Sequence, residues 1–182
     1  MIFRRRPAVT LGLILAFAAL MALSAQASVP MHPVPMTMQS AAVLLAGAVL
    51  GARNGVGAVL VYLGAAAVGL PVLSDGAGGL SSFVGPTAGY LVAFPIAAGL
   101  TGLAAGRGLL DRPAAGLAVL FAAHLVLLGL GAGWLARSMG PEAALAAGFT
   151  PFLIGAAVKS ALVLGLRWGL LQLWPGLRPL RP

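Results

Sequence analysis

The sequence contains no cysteine and very little charge. Without cysteine, the chain forms neither a disulfide framework nor a thiolate metal site. Three residues are acidic and eleven are lysine or arginine, so only 8% of the 182 residues carry a charge. Ordinary soluble domains carry charge on about 25% of their residues. The composition therefore excludes a soluble globular domain.

Motifs of the common enzymatic activities are also missing. The sequence has neither His-Glu-x-x-His nor Gly-x-Ser-x-Gly, the signatures of zinc proteases and of α/β-hydrolases. Lys159-Ser160 resembles the end of a phosphate-binding loop, but Val158 stands where that loop requires glycine. The two histidines, His32 and His124, are far apart in the sequence and make a poor metal site. These absences predict a chain that is not an enzyme, hydrolyses no nucleotide and holds no metal.

Apolar residues dominate what remains. They make up 60% of the sequence, and the mean hydropathy is +1.04. Because a membrane-spanning helix needs ~20 apolar residues, the chain has room for about six helices and no extramembrane domain. We predict an all-α membrane protein, a single domain over residues 1–182 that lies in the lipid bilayer, with transmembrane helices at 8–27, 39–51, 56–70, 87–106, 114–135 and 151–173.

The cations cluster at the ends of the apolar runs, as membrane topology requires. In a six-helix topology with both termini cytoplasmic, the outer side holds Arg137 alone, and the inner side holds all the others outside the last helix. This asymmetry predicts a multi-pass protein of the bacterial cytoplasmic membrane, and it explains the net charge of +8 without nucleic acid. Residues 8–27 also resemble a signal peptide ending at Ala25-Gln26-Ala27, which is the alternative interpretation. The inner cations are Arg4, Arg5, Arg6, Arg53, Arg107, Arg112, Arg178 and Arg181, with Arg167 near the inner end of the last helix.

Two predicted outer loops have an unusual composition. Residues 28–38 contain three prolines and cannot be helical throughout. Residues 71–86 are rich in glycine and carry one charge, Asp75, although ordinary loops are polar. Irregular apolar backbone is tolerated at membrane depth only where protein buries it or where it lines a cavity. We therefore predict that both loops cover a substrate site; the alternative for 71–86 is a flexible connector.

Lys159 is the only lysine, and it lies inside the sixth apolar run. An ammonium in the bilayer interior costs at least ~2.5–3.5 kcal/mol, so we expect it to face the bundle interior and to have a partner. All three carboxylates belong to connections between helices. A lysine without a permanent counter-charge is typical of a site that receives an anionic ligand. The alternatives are a side chain that extends to the interface or pairs with Asp75.

Other polar and small residues lie close to the two loops. Thr37 and Gln39 start the second predicted helix, where they either cap it or hydrogen-bond to a ligand. Tyr90, one turn into the fourth helix, is either an interfacial anchor or a cavity residue. The second loop adds three candidate binding residues, two of which permit close backbone approach: Gly79, Ser82 and Gly85.

Several stretches resemble the BioY family, the biotin-specific S components of energy-coupling factor (ECF) transporters. The resemblance covers nearly the whole chain, and its most specific part is Gly-Pro-Thr-Ala-Gly-Tyr at 85–90. The other matching stretches are residues 62–72, the glycines within 76–79, residues 33–39 and residues 151–159. The family implies a six-helix S-component fold with biotin bound near the outer face under the two loops. Lys159 matches a ligand-contacting lysine of the family.

One position departs from the family pattern. Many relatives carry an aspartate three residues before the lysine, where this sequence has Ala156. The resemblance therefore leaves open whether Lys159 contacts the ureido ring or the carboxylate of biotin.

The resemblance also implies partner proteins. These are a transmembrane coupling protein and two ATPase subunits, which alone would use ATP, so the chain itself needs no cofactor. Small residues let helices approach closely, and we expect Ala18 and Ala22 of the first helix to form the docking surface. A homo-oligomer is also compatible with the sequence. The competing hypothesis is a self-sufficient carrier or channel for another small organic anion, with Lys159 as the charged site and His124 as a proton relay rather than a packing residue.

Overall fold

The computed structural model describes residues 7–177, and helices make up most of this part of the chain. The predicted cations Arg4, Arg5, Arg6, Arg178 and Arg181 lie outside the described residues. Two short strands, β1 and β2, pair in antiparallel register between the first two helices. The six helices are α1 (Pro7–Gln26), α2 (Gln39–Ala67), α3 (Ala88–Gly106), α4 (Pro113–Met139), α5 (Pro141–Gly148) and α6 (Phe152–Leu173), and the strands are β1 (Ser28–Val29) and β2 (Met36–Thr37).

Five of these helices, all except α5, are long and apolar enough to cross a membrane. The predicted second and third transmembrane helices are both contained in α2, which is interrupted at Gly51 (φ 80°, ψ 174°). A Cβ atom on Gly55 would lie 2.7 Å from the Cα of Gly47, so the chain folds back on itself there. Gln39 and Tyr62, near the two ends of α2, are hydrogen-bonded to each other. The two arms therefore form a tight antiparallel hairpin, and with its two arms the bundle has six apolar helical segments.

Glycine makes this hairpin possible because its turn needs a positive φ. It also lets α3 pack directly on the turn: a Cβ atom on Gly102 would collide with the backbone of Ala52. Short arms of 39–50 and 52–67 span only about 18 and 24 Å. The sequence predicts a break between the second and third helices at 52–55. The structure places the turn one residue earlier, at Gly51.

Helix α1 is the least buried of the long helices, with 22% of its most apolar window buried. Its inner side carries Ala18, which is only 8% exposed, and Ala22 packs against the same core. The predicted docking pair therefore lies on the side of α1 that faces the bundle, because it shares that side with the core residues Phe17 and Met21. The small residues that α1 exposes are Ala8, Gly12, Ala16 and Ala19.

The predicted outer connection at 137–142 is largely helical. Arg137 belongs to the last turn of α4, and Glu142 to the first turn of α5, which begins at Pro141 directly after Gly140. Gly140 has a positive φ of 83° and lets the chain turn without a longer loop. No periodic pattern in the sequence is long enough to separate α5 from α6.

Arg167 of α6 is buried rather than at an interface. Its guanidinium donates to the carbonyl oxygens of Ala48 (3.1 Å) and Leu110 (3.0 Å) and to the carboxylate of Asp111 (2.9 Å). The Trp168 indole donates to the same Leu110 carbonyl at 2.9 Å. These bonds connect α6 to α2 and to the segment between α3 and α4. They give each of the three guanidinium nitrogens an acceptor, which offsets the cost of burying the charge.

Candidate functional site

A cavity opens at the end of the bundle where α1 ends and α6 begins. Its empty volume is about 750 Å³, which includes the open mouth. Four helices form its walls, and both predicted loops contribute to it. The residues that line it include Thr37, Gln39, Ser40, Leu73, Ser74, Ala77, Ser82, Tyr90, Phe94, His124, Phe152, Ala156 and Lys159.

Lys159 lies in the wall formed by α6 and is 8% exposed. Its Nζ donates to the backbone carbonyl of Thr37 at 2.6 Å and lies 3.3 Å from the hydroxyl of Ser40. Among residues 7–177, no carboxylate lies within salt-bridge distance of this ammonium, and Asp75 is exposed on the loop. An ammonium has three N–H donors, and two are used. Lys159 thus keeps one donor and an unneutralised charge at the cavity wall.

The start of α2 builds the polar side of the cavity. The Thr37 hydroxyl accepts the backbone N–H of Gln39 at 3.3 Å, so this side chain holds the helix start. The Gln39 side chain donates to the Tyr62 hydroxyl, which in turn donates to the Val72 carbonyl at 3.0 Å. Gln39 therefore lines the cavity and also connects its wall to the loop that follows α2.

Tyr90 is buried, with 6% exposure, and lines the cavity. It is therefore not an interfacial anchor. Its hydroxyl donates to the Gly148 carbonyl at 2.6 Å, which fixes the ring against α5. The ring also packs directly against Gly131 of α4, where any Cβ atom would collide with it. Tyr90, Phe94 and Phe152 supply flat apolar walls suited to a ring or an alkyl chain.

His124 of α4 lines the cavity and is 2% exposed. Its Nδ1 lies 3.1 Å from the Leu120 carbonyl oxygen and 3.1 Å from the Ser160 hydroxyl. The Ser160 hydroxyl itself donates to the Ala156 carbonyl at 2.7 Å. Within the described residues, the other ring nitrogen, Nε2, has no hydrogen-bond partner.

The loop between α2 and α3, residues 68–87, covers part of the cavity with Leu73, Ser74, Ala77 and Ser82. It includes two short 3-10 turns and is held by specific bonds. The Gln26 side chain donates to the Leu73 carbonyl at 2.9 Å, which links the loop to the end of α1. Gly78 lies against the Leu70 carbonyl so closely that no Cβ atom would fit. These contacts hold the loop in a defined position over the cavity, so it is not a flexible connector.

Five of the seven predicted binding residues line the cavity, namely Lys159, Tyr90, Gln39, Thr37 and Ser82. Gly79 and Gly85 do not. Gly79 has a positive φ of 86°, and its N–H donates to the Ala66 carbonyl at 2.7 Å, so it shapes the loop. The Gly85 carbonyl accepts the indole N–H of Trp134, a residue of α4, at 3.0 Å. Neither glycine therefore brings backbone to the cavity.

Sequence reasoning did not identify Ser40, Leu73 or Phe94 as site residues. Ser40 follows Gln39 directly, and the polar run at the start of α2 was the available signal. Leu73 and Phe94 are ordinary apolar residues in an apolar chain, so their positions in the cavity could be found only from the fold.

Residues 4–176 match the BioY family. A Pyrococcus horikoshii protein named "Probable biotin transporter BioY" is 39% identical over 150 residues, covering 82% of this chain and 88% of that one. A Rhizobium etli protein named "Biotin transporter BioY" is 42% identical over 130 residues, covering 68% and 66% of the two chains. The crystal structure of an S component for biotin from an ECF-type ABC transporter superposes with a TM-score of 0.82 at 25% identity, covering 94% and 95%.

Proposed function

The chain belongs to the BioY family, and from this premise we propose that it captures biotin as the substrate-binding component of an ECF transporter. The observation that carries the proposal is a partly covered cavity with one buried cation, Lys159, that has no counter-charge among residues 7–177. Biotin is an anion with a polar bicyclic ring at one end and an alkyl carboxylate at the other. The named relatives are biotin transporters, which favours this function over a carrier of another organic anion.

The chemistry of the cavity walls supports this ligand. Lys159 provides a charged donor, and Gln39 and Ser82 provide neutral polar groups beside the loops. Tyr90 and Phe94 offer apolar faces for the thioether ring and the alkyl chain. Binding residues that are tied to backbone carbonyls, as Lys159 and Tyr90 are, lose little freedom when the ligand arrives.

We further propose that the cavity opens to the outside and that both termini are cytoplasmic, in a bacterial inner membrane. Because α1 ends and α6 begins beside the cavity, residues 7 and 173 lie at the opposite end of the bundle. The exposed cations also lie at that end, with Arg53 at the start of the second arm of α2 and Arg107 and Arg112 between α3 and α4. Cations are enriched on the cytoplasmic side of membrane proteins.

The transport partners belong to the same proposal. A transmembrane coupling protein and two ATPase subunits would supply ATP hydrolysis, with no cofactor in this chain. The exposed side of α1 suits docking of the coupling protein, since Gly12 and Ala16 permit close helix approach there.

Uptake into proteoliposomes tests the proposal against the self-sufficient carrier. Vesicles containing this chain alone should bind radiolabelled biotin without concentrating it, whether or not a proton or sodium gradient is imposed. Adding the coupling protein, the ATPases and ATP should produce accumulation. Accumulation driven by a gradient in the chain alone, and abolished in His124→Ala, would instead establish the carrier.

A further inference from the structure

One cavity residue has a hydrogen-bonding group that the protein leaves unused. His124 is 2% exposed and lines the cavity, yet its Nε2 has no partner within residues 7–177. Leaving a buried polar atom unpaired costs free energy unless a ligand or an ordered water pairs with it. The only other buried side-chain atom in this state among those residues is Thr101 Oγ1, which does not line the cavity.

The surroundings of the ring determine which nitrogen carries the hydrogen. The Leu120 carbonyl oxygen can only accept, so Nδ1 must donate to it across 3.1 Å. The Ser160 hydroxyl uses its hydrogen on the Ala156 carbonyl and therefore also presents a lone pair to Nδ1. Both contacts require hydrogen on Nδ1. In the neutral ring, Nε2 is then a pure acceptor.

The cavity that holds this acceptor also holds a charged donor. Ser160, which contacts His124, directly follows Lys159, and both Lys159 and His124 line the same cavity. A second positive charge on the imidazole would be repelled by the ammonium, so the neutral ring is the state that suits this site. One cavity therefore presents both a donor that carries charge, on α6, and a neutral acceptor, on α4.

We propose that His124 Nε2 accepts a ligand N–H, and that the pair Lys159 and His124 recognises the edge of a cyclic urea or amide. The carbonyl oxygen of such a group receives the free N–H of Lys159, and the neighbouring N–H donates to His124. A carboxylate cannot fill this role because it has no N–H to offer. The inference rests on the proposed function: in biotin the group is the ureido ring, which places the carboxylate toward the mouth of the cavity.

Two substitutions of His124 distinguish the role of Nε2 from that of Nδ1. Asparagine at 124 keeps a polar group near the position of Nδ1 but removes the acceptor, whereas glutamine places an amide oxygen near Nε2. His124→Asn should weaken biotin binding by about 5- to 150-fold, the cost of leaving a buried N–H unpaired. His124→Gln should retain most of the affinity. Thr101→Val, which removes the other unpaired buried atom away from the cavity, should leave affinity unchanged.

A modified ligand tests the same contact from the other side. Biotin methylated on a ureido nitrogen cannot donate there, so its binding to wild type should be weaker than that of biotin, and His124→Asn should reduce this difference. Equal affinity of His124→Asn and wild type for biotin would overturn the inference while leaving biotin capture standing. Failure of the wild type to bind biotin would overturn the proposed function itself.

An NMR measurement on the His124 ring itself does not depend on whether variants of His124 fold. With His32→Gln, His124 is the only histidine in the chain, so its ¹⁵N signals are unambiguous. We expect a neutral ring with hydrogen on Nδ1, and an Nε2 shift that moves on adding biotin and stays unchanged with a ureido-methylated analogue that still binds. A ring with hydrogen on Nε2, or an Nε2 signal insensitive to biotin, would contradict the assignment.

Discussion

Replacing Lys159 with methionine should separate ligand binding from stability. Methionine keeps an unbranched apolar stem as far as the ε position but removes the ammonium. In the wild type, two of the three N–H donors are directed at Thr37 and Ser40, and one remains for the ligand. A hydrogen bond to a charged group contributes about 1.5–3 kcal/mol, so the dissociation constant for biotin should rise roughly 10- to 150-fold.

The unliganded protein should respond differently. Burying an ammonium at membrane depth costs about 2.5–3.5 kcal/mol, and its two hydrogen bonds offset a similar amount. The thermal unfolding midpoint in detergent should therefore change little, although the affinity falls. Isothermal titration of wild type and Lys159→Met with biotin measures the first effect, and thermal unfolding without ligand measures the second.

Arg137 provides a matched control. It is an exposed cation at the end of α4, it does not line the cavity, and its guanidinium lies 4.8 Å from the ring centroid of Trp134. Arg137→Met should leave the affinity for biotin unchanged, which would exclude a general effect of lost positive charge. If Lys159→Met binds biotin as tightly as the wild type, Lys159 is not a ligand-binding residue and the reasoning from its free donor fails.

Three further changes test other parts of the structure. Arg167→Met should lower the free energy of unfolding by about 2–4 kcal/mol, because the carbonyls of α2 and the α3–α4 connection lose a buried partner. Arg107→Met, which removes an exposed cation, is the control. Equal unfolding midpoints for Arg167→Met and the wild type would refute the role of these hydrogen bonds. Gly78→Ala should weaken biotin binding, because the added Cβ displaces the loop of residues 68–87 that covers the cavity. Gly85→Ala, whose added Cβ would lie 3.7 Å from the nearest atom, should leave the affinity unchanged. Equal affinities of the two variants would show that the position of the loop does not affect binding. Tyr90→Phe should lower stability by about 1 kcal/mol through loss of the bond to α5, and an unchanged unfolding midpoint would speak against that bond.

Composition and the apolar runs predicted much of the fold. The apolar runs located all six helical segments, because every membrane-spanning helix must be apolar along its length. They could not show that the second and third runs form one hairpin, since this depends on the conformation of Gly51 and on contact between distant glycines. The side of α1 occupied by Ala18 was also beyond the sequence, because an apolar helix in a membrane is similar on all sides.

The candidate site was predictable where polarity is rare. Lys159, Gln39 and Thr37 stand out in an apolar chain, and all three line the cavity. Glycine was a weaker guide, since 26 glycines are present for several different reasons. Gly79 and Gly85 shape the loop without reaching the cavity. In this loop it is Gly78 that lies close to other backbone, at the carbonyl of Leu70. The role of His124 required its neighbours, because only Leu120 and Ser160 determine which nitrogen is left free.

Equilibrium binding of biotin to the purified chain alone tests the central claim most directly. The protein in detergent, without any partner subunit, should bind one biotin per chain with a dissociation constant of about 1 μM or below. Binding should survive an excess of unrelated small organic anions. If no saturable binding is found up to about 1 mM biotin, or if another organic anion displaces biotin at equal concentration, biotin capture by this cavity is contradicted.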